Sequence, residues 1–289
     1  MQRASGVLLH PTALAGPFRV GGLGEEAFLF VDFLVRAGQS LWQILPLGPT
    51  GYGHSPYNAL SAFAGNPVLI DLQQLVDCND LDGSHLNAIL KNSSGIDFNQ
   101  VHARKNTLLL EAGYEFFRKP TTERHQAFGT FCHEQSDWLE DFSLFMALRE
   151  TFAEQTWSEW PEGLRTRKPE AIREWQDKLE ENCRLYKYQQ FVFSEQWHKL
   201  KTYANSNNVL IFGDIPIFVA YDSADVWANQ RLFQLDDQSQ ATAVAGVPPD
   251  YFSKTGQRWG NPLYRWDQLA AEDFQWWLRR FELDRKSVV

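Results

Sequence analysis

Three segments of the 289-residue chain gather side chains that could grip a polar ligand. Gly48 to Asn66 holds Tyr52, Ser55, Tyr57 and Asn58, and Gly213 to Asp225 holds Asp214. Val247 to Pro262 combines Asp250, Tyr251, Arg258, Trp259 and Asn261 with Pro and Gly breakers. Aromatic faces stack on the apolar C–H faces of sugar rings while Tyr and Trp keep a polar handle. A lone carboxylate can then fix the orientation of a hydroxylated ring. By residue type alone, Tyr52 and Tyr57 could equally pack over the mouth of a barrel, and Asp214 could equally cap a helix or join a structural ion pair. His10, at the end of an apolar run, could serve the site or make only a supporting hydrogen bond behind it. The seven histidines show no HxxxH or HExxH spacing that would favour a metal, and no GxSxG elbow marks a nucleophile. No cofactor is expected.

These segments need a scaffold. Three continuous apolar runs, Gly6 to Pro11, Leu41 to Pro46 and Val209 to Pro216, each precede one of the polar stretches or end in Pro/Gly punctuation. Continuous rather than alternating runs suit strands buried on both faces of a parallel sheet. Between the first two, Phe28, Val31, Leu34 and Val35 recur at helical spacing from Glu25 to Ala37, with Gly38 as the residue just past the end. Asp222 is expected to cap a helix running into Val226 and Trp227, with Asp225 in its first turn. The middle, from Leu75 to Ser206, lacks strand patterning. Amphipathic stretches over Ser136 to Ala153 and Glu170 to Tyr203 mark it as a helical insertion. The expected class is α/β: about three strands of a (β/α)8 barrel with a large, mostly helical insertion, an open doubly wound sheet being the alternative. The glycine-rich stretch 48–53 lacks both dinucleotide spacing and a phosphate-loop ending, which argues against nucleotides.

A net charge of −9 argues against nucleic acid or a membrane surface, because both are densely negative. Three widely spaced cysteines read as reduced thiols, so a cytoplasmic location is expected. Aromatic content of 14%, with 11 Trp and 21 Phe, leans towards carbohydrate, although an aromatic-rich core explains it as well.

Four ordered motifs carry a resemblance. Residues 5–12 (SGVLLHPT) with Gly22, Leu23 and Gly24 resemble the opening of the amylomaltase family of 4-α-glucanotransferases, glycoside hydrolase family 77. Residues 42–53 (WQILPLGPTGYG), continuing through Ser55, Pro56 and Tyr57 to Pro67, are similar to its best-marked motif. Residues 213–220 (GDIPIFVA) with Asp222 to Trp227 form the third match, and 245–252 (AGVPPDYF) through 256–264 (GQRWGNPLY) the fourth. The resemblance implies a retaining barrel enzyme that passes a segment of an α-1,4-glucan (maltodextrin, starch or glycogen) to the 4-hydroxyl of an acceptor such as glucose. It further implies that Tyr57 stacks beneath the sugar at the cleavage point and that Asp214 binds its hydroxyls. Trp259, on a flexible loop, would shield the acceptor side, and Tyr52 would guide longer glucans in a remote groove. Ser55 and Asn261 complete the expected substrate-binding set.

Retention requires two carboxylates about 5 Å apart. The family's nucleophilic Asp follows a Trp-Trp helix, matched here by Trp276 and Trp277, so no residue of this chain is expected to be catalytic. The expected organisation is 1–74 (first strands and substrate loop), 75–206 (helical insertion), 207–283 (third strand, substrate loop and helix) and 284–289 (an atypical tail). That tail, DRKSVV, matches what a common sequencing adapter encodes in one frame and is expected to be foreign to the gene. The alternative expectation is a truncated, non-catalytic protein that binds glucan or partners an enzyme.

Overall fold

The computed structural model describes residues 3–91 and 98–288, with the backbone alone at residue 52, residues 88–91 and residues 284–288. Its centre is a three-stranded parallel sheet in the order β1 (Gly6–Leu8), β2 (Leu41–Gln43), β3 (Leu210–Phe212). The register pairs Val7 with Trp42 and Trp42 with Ile211. Helix α1 (Glu25–Arg36) joins β1 to β2 and ends where Gly38 takes φ +67°, a conformation that favours glycine. The residues from β2 to β3 carry α2 (Leu72–Asp77), α3 (Gly83–Lys91), α4 (Phe98–Arg118), α5 (Glu123–Glu134), α6 (Ser136–Thr151), α7 (Glu162–Arg165), α8 (Pro169–Lys178) and α9 (Glu180–Ser206). The expected single stretch from Glu170 to Tyr203 is therefore two helices, α8 and α9, separated at Leu179.

After β3 come α10 (Ala224–Ala228), a hairpin of β4 (Val244–Val247) and β5 (Gln257–Pro262), then α11 (Trp266–Ala271) and α12 (Gln275–Val288). The hairpin corrects the expectation of a flexible loop: Gly246, Gly256 and Gly260 interrupt the alternation by which strands are recognised. The backbone of 284–288 continues α12. The side chains on which the foreign-tail expectation rests lie outside the described residues.

One face of the sheet is closed. Ala27, Val31 and Leu34 from α1 pack with Trp197, Leu200 and Ala204 from α9 over Trp42 and Ile211, all nearly solvent-free. Truncating one such leucine to Ala would cost roughly 2–5 kcal/mol. The other face is open, contrary to the expectation of strands buried on both sides. Leu8, Leu210 and Phe212 are 54%, 50% and 55% exposed. The insertion contributes to two further cores. One sits between α4 and α9 around Leu108, Phe116 and Tyr188. The other joins α6 to the segment after β3 through Phe145, Trp157, Trp160 and Trp227.

Candidate substrate-binding site

The loops leaving the carboxyl ends of β2 and β3 meet beside each other, where parallel α/β sheets commonly hold ligands. Tyr57 reaches across from the first, and its phenol donates a 2.5 Å hydrogen bond to Asp214 Oδ2 on the second. That contact, together with burial, holds the Tyr57 phenol above its ordinary pKa. The residue is nonetheless 45% exposed. Tyr57 and Asp214 line one cavity with Pro46, Gly65, Pro216 and Arg280.

Trp259 and Asn261 line a second, larger cavity of about 1110 Å³ with His54, Asn58, His102 and Tyr221. Its size suits an extended polar ligand. Trp259 lies on strand β5 rather than on a loop, half exposed, its indole donating to Gln257 Oε1 at 3.0 Å. Asn261 commits its amide to the Val219 carbonyl at 2.8 Å, bracing the loop after β3. Ser55 lines neither cavity; its hydroxyl accepts from the Tyr57 amide and shapes the turn that presents that ring. The Tyr52 side chain lies outside the described residues, although its backbone opens the short 3-10 turn Tyr52–His54.

His10 lies two residues past β1 and caps the short 3-10 turn Pro11–Ala13; its Nδ1 lies 2.7 Å from Thr12 Oγ1 while accepting from the Thr12 amide. Burial lowers its pKa. Asp222 does not cap α10. Ser223 does, accepting from the Val226 amide, because Asp222 is drawn to Arg149 at the end of α6.

Sequence reasoning missed the residues that hold the first loop. The Gln190 amide clamps Gly65 in both directions, accepting from its N–H at 2.7 Å and donating to its carbonyl at 2.9 Å. Gln196 grips Asp71 in the same way, at 2.7 and 2.9 Å. Lys105, 5% exposed, donates to the carbonyls of Val68 and Ile70, and burial lowers its pKa to about 8. A side chain at Gly65 would force the Phe193 ring to move, because an added Cβ would come within 2.1 Å of it. A signal was available. Lys105 falls on the stripe Val101, Leu108, Ala112 of α4, and Gln190 shares a seven-residue repeat with Cys183, Trp197 and Ala204 of α9. A polar residue on an apolar stripe must find buried partners.

Among the described residues, no group of three or more His, Cys, Asp or Glu could hold a metal ion, and no helix is long and apolar enough to cross a membrane.

The fold is thus a parallel α/β scaffold with an aromatic ring and a carboxylate lining a cleft at its strand ends. Residues 9–288 match the family model described as 4-alpha-glucanotransferase, glycoside hydrolase family 77, and the chain belongs to that family. It is 47% identical over 283 residues to a 4-alpha-glucanotransferase of Synechocystis, covering 97% of this chain and 56% of that protein. A 4-alpha-glucanotransferase of Thermus thermophilus is 48% identical over 282 residues, with 98% and 56% covered. The fold superposes on the amylomaltase of Streptococcus agalactiae, solved in complex with acarbose, with a TM-score of 0.93 at 38% identity, covering 99% of this chain and 58% of that one. The chain thus spans a little over half the length of each of these three relatives.

Proposed function

We propose that this chain is the sugar-seating part of a 4-α-glucanotransferase that moves a segment of an α-1,4-glucan onto the 4-hydroxyl of glucose or a maltodextrin. The observation that carries the reading is the Tyr57–Asp214 contact in the strand-end cleft of a chain belonging to this family. In this reading Tyr57 stacks under a glucose ring, and its hydroxyls replace the phenol as partners of Asp214. A neutral, hydroxyl-rich ligand suits a protein of net charge −9. Trp259, with Asn261 behind it, flanks the acceptor side and keeps water from a covalent intermediate. Tyr52 belongs to a more distant groove for longer glucans, and Ser55 sets the pose of Tyr57. Asp214 binds rather than attacks. The carboxylate pair of a retaining mechanism is assigned to the part of the relatives' length that this chain does not span.

The three parallel strands are, in the same proposal, part of a (β/α)8 barrel, and the half-exposed Leu8, Leu210 and Phe212 support this as the side that further strands would cover. The segments 1–74, 75–206, 207–283 and 284–289 are its proposed divisions. Three free cysteines suit a reducing cytoplasm.

The test is to incubate the purified chain with maltotriose, following glucose and longer maltodextrins, and to titrate it with acarbose. Binding without disproportionation supports the reading. Disproportionation by this chain alone would overturn the assignment of the carboxylates, and absence of acarbose binding would overturn the seat.

A further inference from the structure

Two buried charges lie beneath the cleft. Asp225 on α10 and Arg280 on α12 are each 3% exposed. Asp225 accepts from the Ala62 amide at 2.7 Å, while its neighbour Ala224 donates its amide to the Leu60 carbonyl at 2.9 Å. This ties down the first loop just past Tyr57. Arg280 donates to the Pro216 carbonyl at 2.6 Å, two residues past Asp214. Its guanidinium also rests on the rings of Trp276 and Trp277, 4.9 and 4.6 Å from their centroids. Tyr264 continues the hold on the second loop by donating to the Ile217 carbonyl at 2.9 Å.

Neither charge is an economical way to fill a core. Burial pushes the Asp225 carboxyl up to about 6, only partly opposed by the Ala62 amide and by attraction to Arg280. Buried charged groups often stabilise less than apolar residues of equal volume, and an attested use of them is to fix one geometry. Here the geometry is the meeting of two loops from different strands, each anchored within a few residues of a cleft side chain.

We infer that Asp225 and Arg280 are positioning residues that set the two loops in register, so that Tyr57 and Asp214 meet and present one seat to a glucan. The inference rests on the reading of that pair as a sugar seat, but its structural half can be measured without any sugar. In the full chain labelled with ¹³Cζ-tyrosine, the Tyr57 resonance is assigned with Tyr57→Phe, and Asp214→Ala defines its position when the contact is broken. Arg280→Met and Asp225→Ala are expected to move the resonance towards that position at neutral pH and to weaken maltotriose binding on the order of tenfold. Asp225→Asn, which keeps an acceptor for the Ala62 amide, is expected to leave the resonance near its original place. A merely structural role would lower stability without moving Tyr57. A folded Arg280→Met or Asp225→Ala protein with the resonance unmoved overturns the inference. Should neither variant fold, Arg280→Lys decides: it keeps the charge but not the fork, and an unmoved resonance there is equally fatal. Failure of the unaltered chain to bind maltotriose would instead sink the functional reading and leave the resonance to judge the positioning.

Discussion

The loop that carries Tyr57 and the hairpin that carries Trp259 flank neighbouring cavities but are held in opposite ways. Along 62–71 the first is gripped by Asp225, Gln190, Lys105 and Gln196, side chains drawn from three helices. The hairpin is held near its base, by Asn261 on Val219, while at its tip Tyr251 and Phe252 stand 96% and 89% exposed. In the proposed reading a rigid seat and a projecting arm divide the work of the cleft: one would fix ring geometry, the other would close over a bound ligand. Buried polar clamps confer rigidity because each unpaired group would be costly, whereas an exposed tip has little to lose by moving.

That contrast can be broken by stability measurements. The largest effect is expected from Lys105→Met, which strands the Val68 and Ile70 carbonyls in the core and should cost about 3 kcal/mol in urea unfolding. Gln190→Ala, which frees both backbone groups of Gly65, should cost about 2 kcal/mol by the same assay. Asp225 gives a pH signature. Its folded pKa of about 6 lies above the ordinary 3.8, so the folded state holds more protons in that window. Stability should therefore fall as pH rises from about 4 to about 6, by no more than about 1.4 kcal/mol per pH unit, and Asp225→Asn should flatten that slope. Lys105, lowered to about 8 from 10.5, acts in the opposite sense, with stability rising as pH climbs through that interval. The smallest effect belongs to the arm: Tyr251→Ser with Phe252→Ser should change unfolding free energy by no more than about 0.5 kcal/mol. A loss comparable to that of Lys105→Met would erase the distinction.

The sequence made the scaffold legible where apolar runs were uninterrupted. The three parallel strands, α1 up to Gly38 and the helical insertion all follow from hydrophobic period and glycine placement. It also supplied the two residues that meet in the cleft, although their contact joins positions 157 residues apart and could not be read locally. The β4–β5 hairpin stayed hidden because its pairing runs through glycines and prolines, which carry no alternation. The cap of α10 was misassigned one residue early, since a sequence shows Asp222 and Ser223 as equal candidates and only the fold brings Arg149 to the first. The clamps on Gly65 and Asp71 were visible only as polar residues on apolar stripes, a sign of buried partners that does not name them.

The central claim, that Tyr57 and Asp214 form a seat for a glucan, is tested most directly by calorimetric titration of maltotriose into the unaltered chain and into Asp214→Ala. The account predicts measurable binding to the first and an affinity at least about tenfold weaker for the second, with the fold intact by circular dichroism. Equal affinity in the two proteins, or no binding to either, would contradict it.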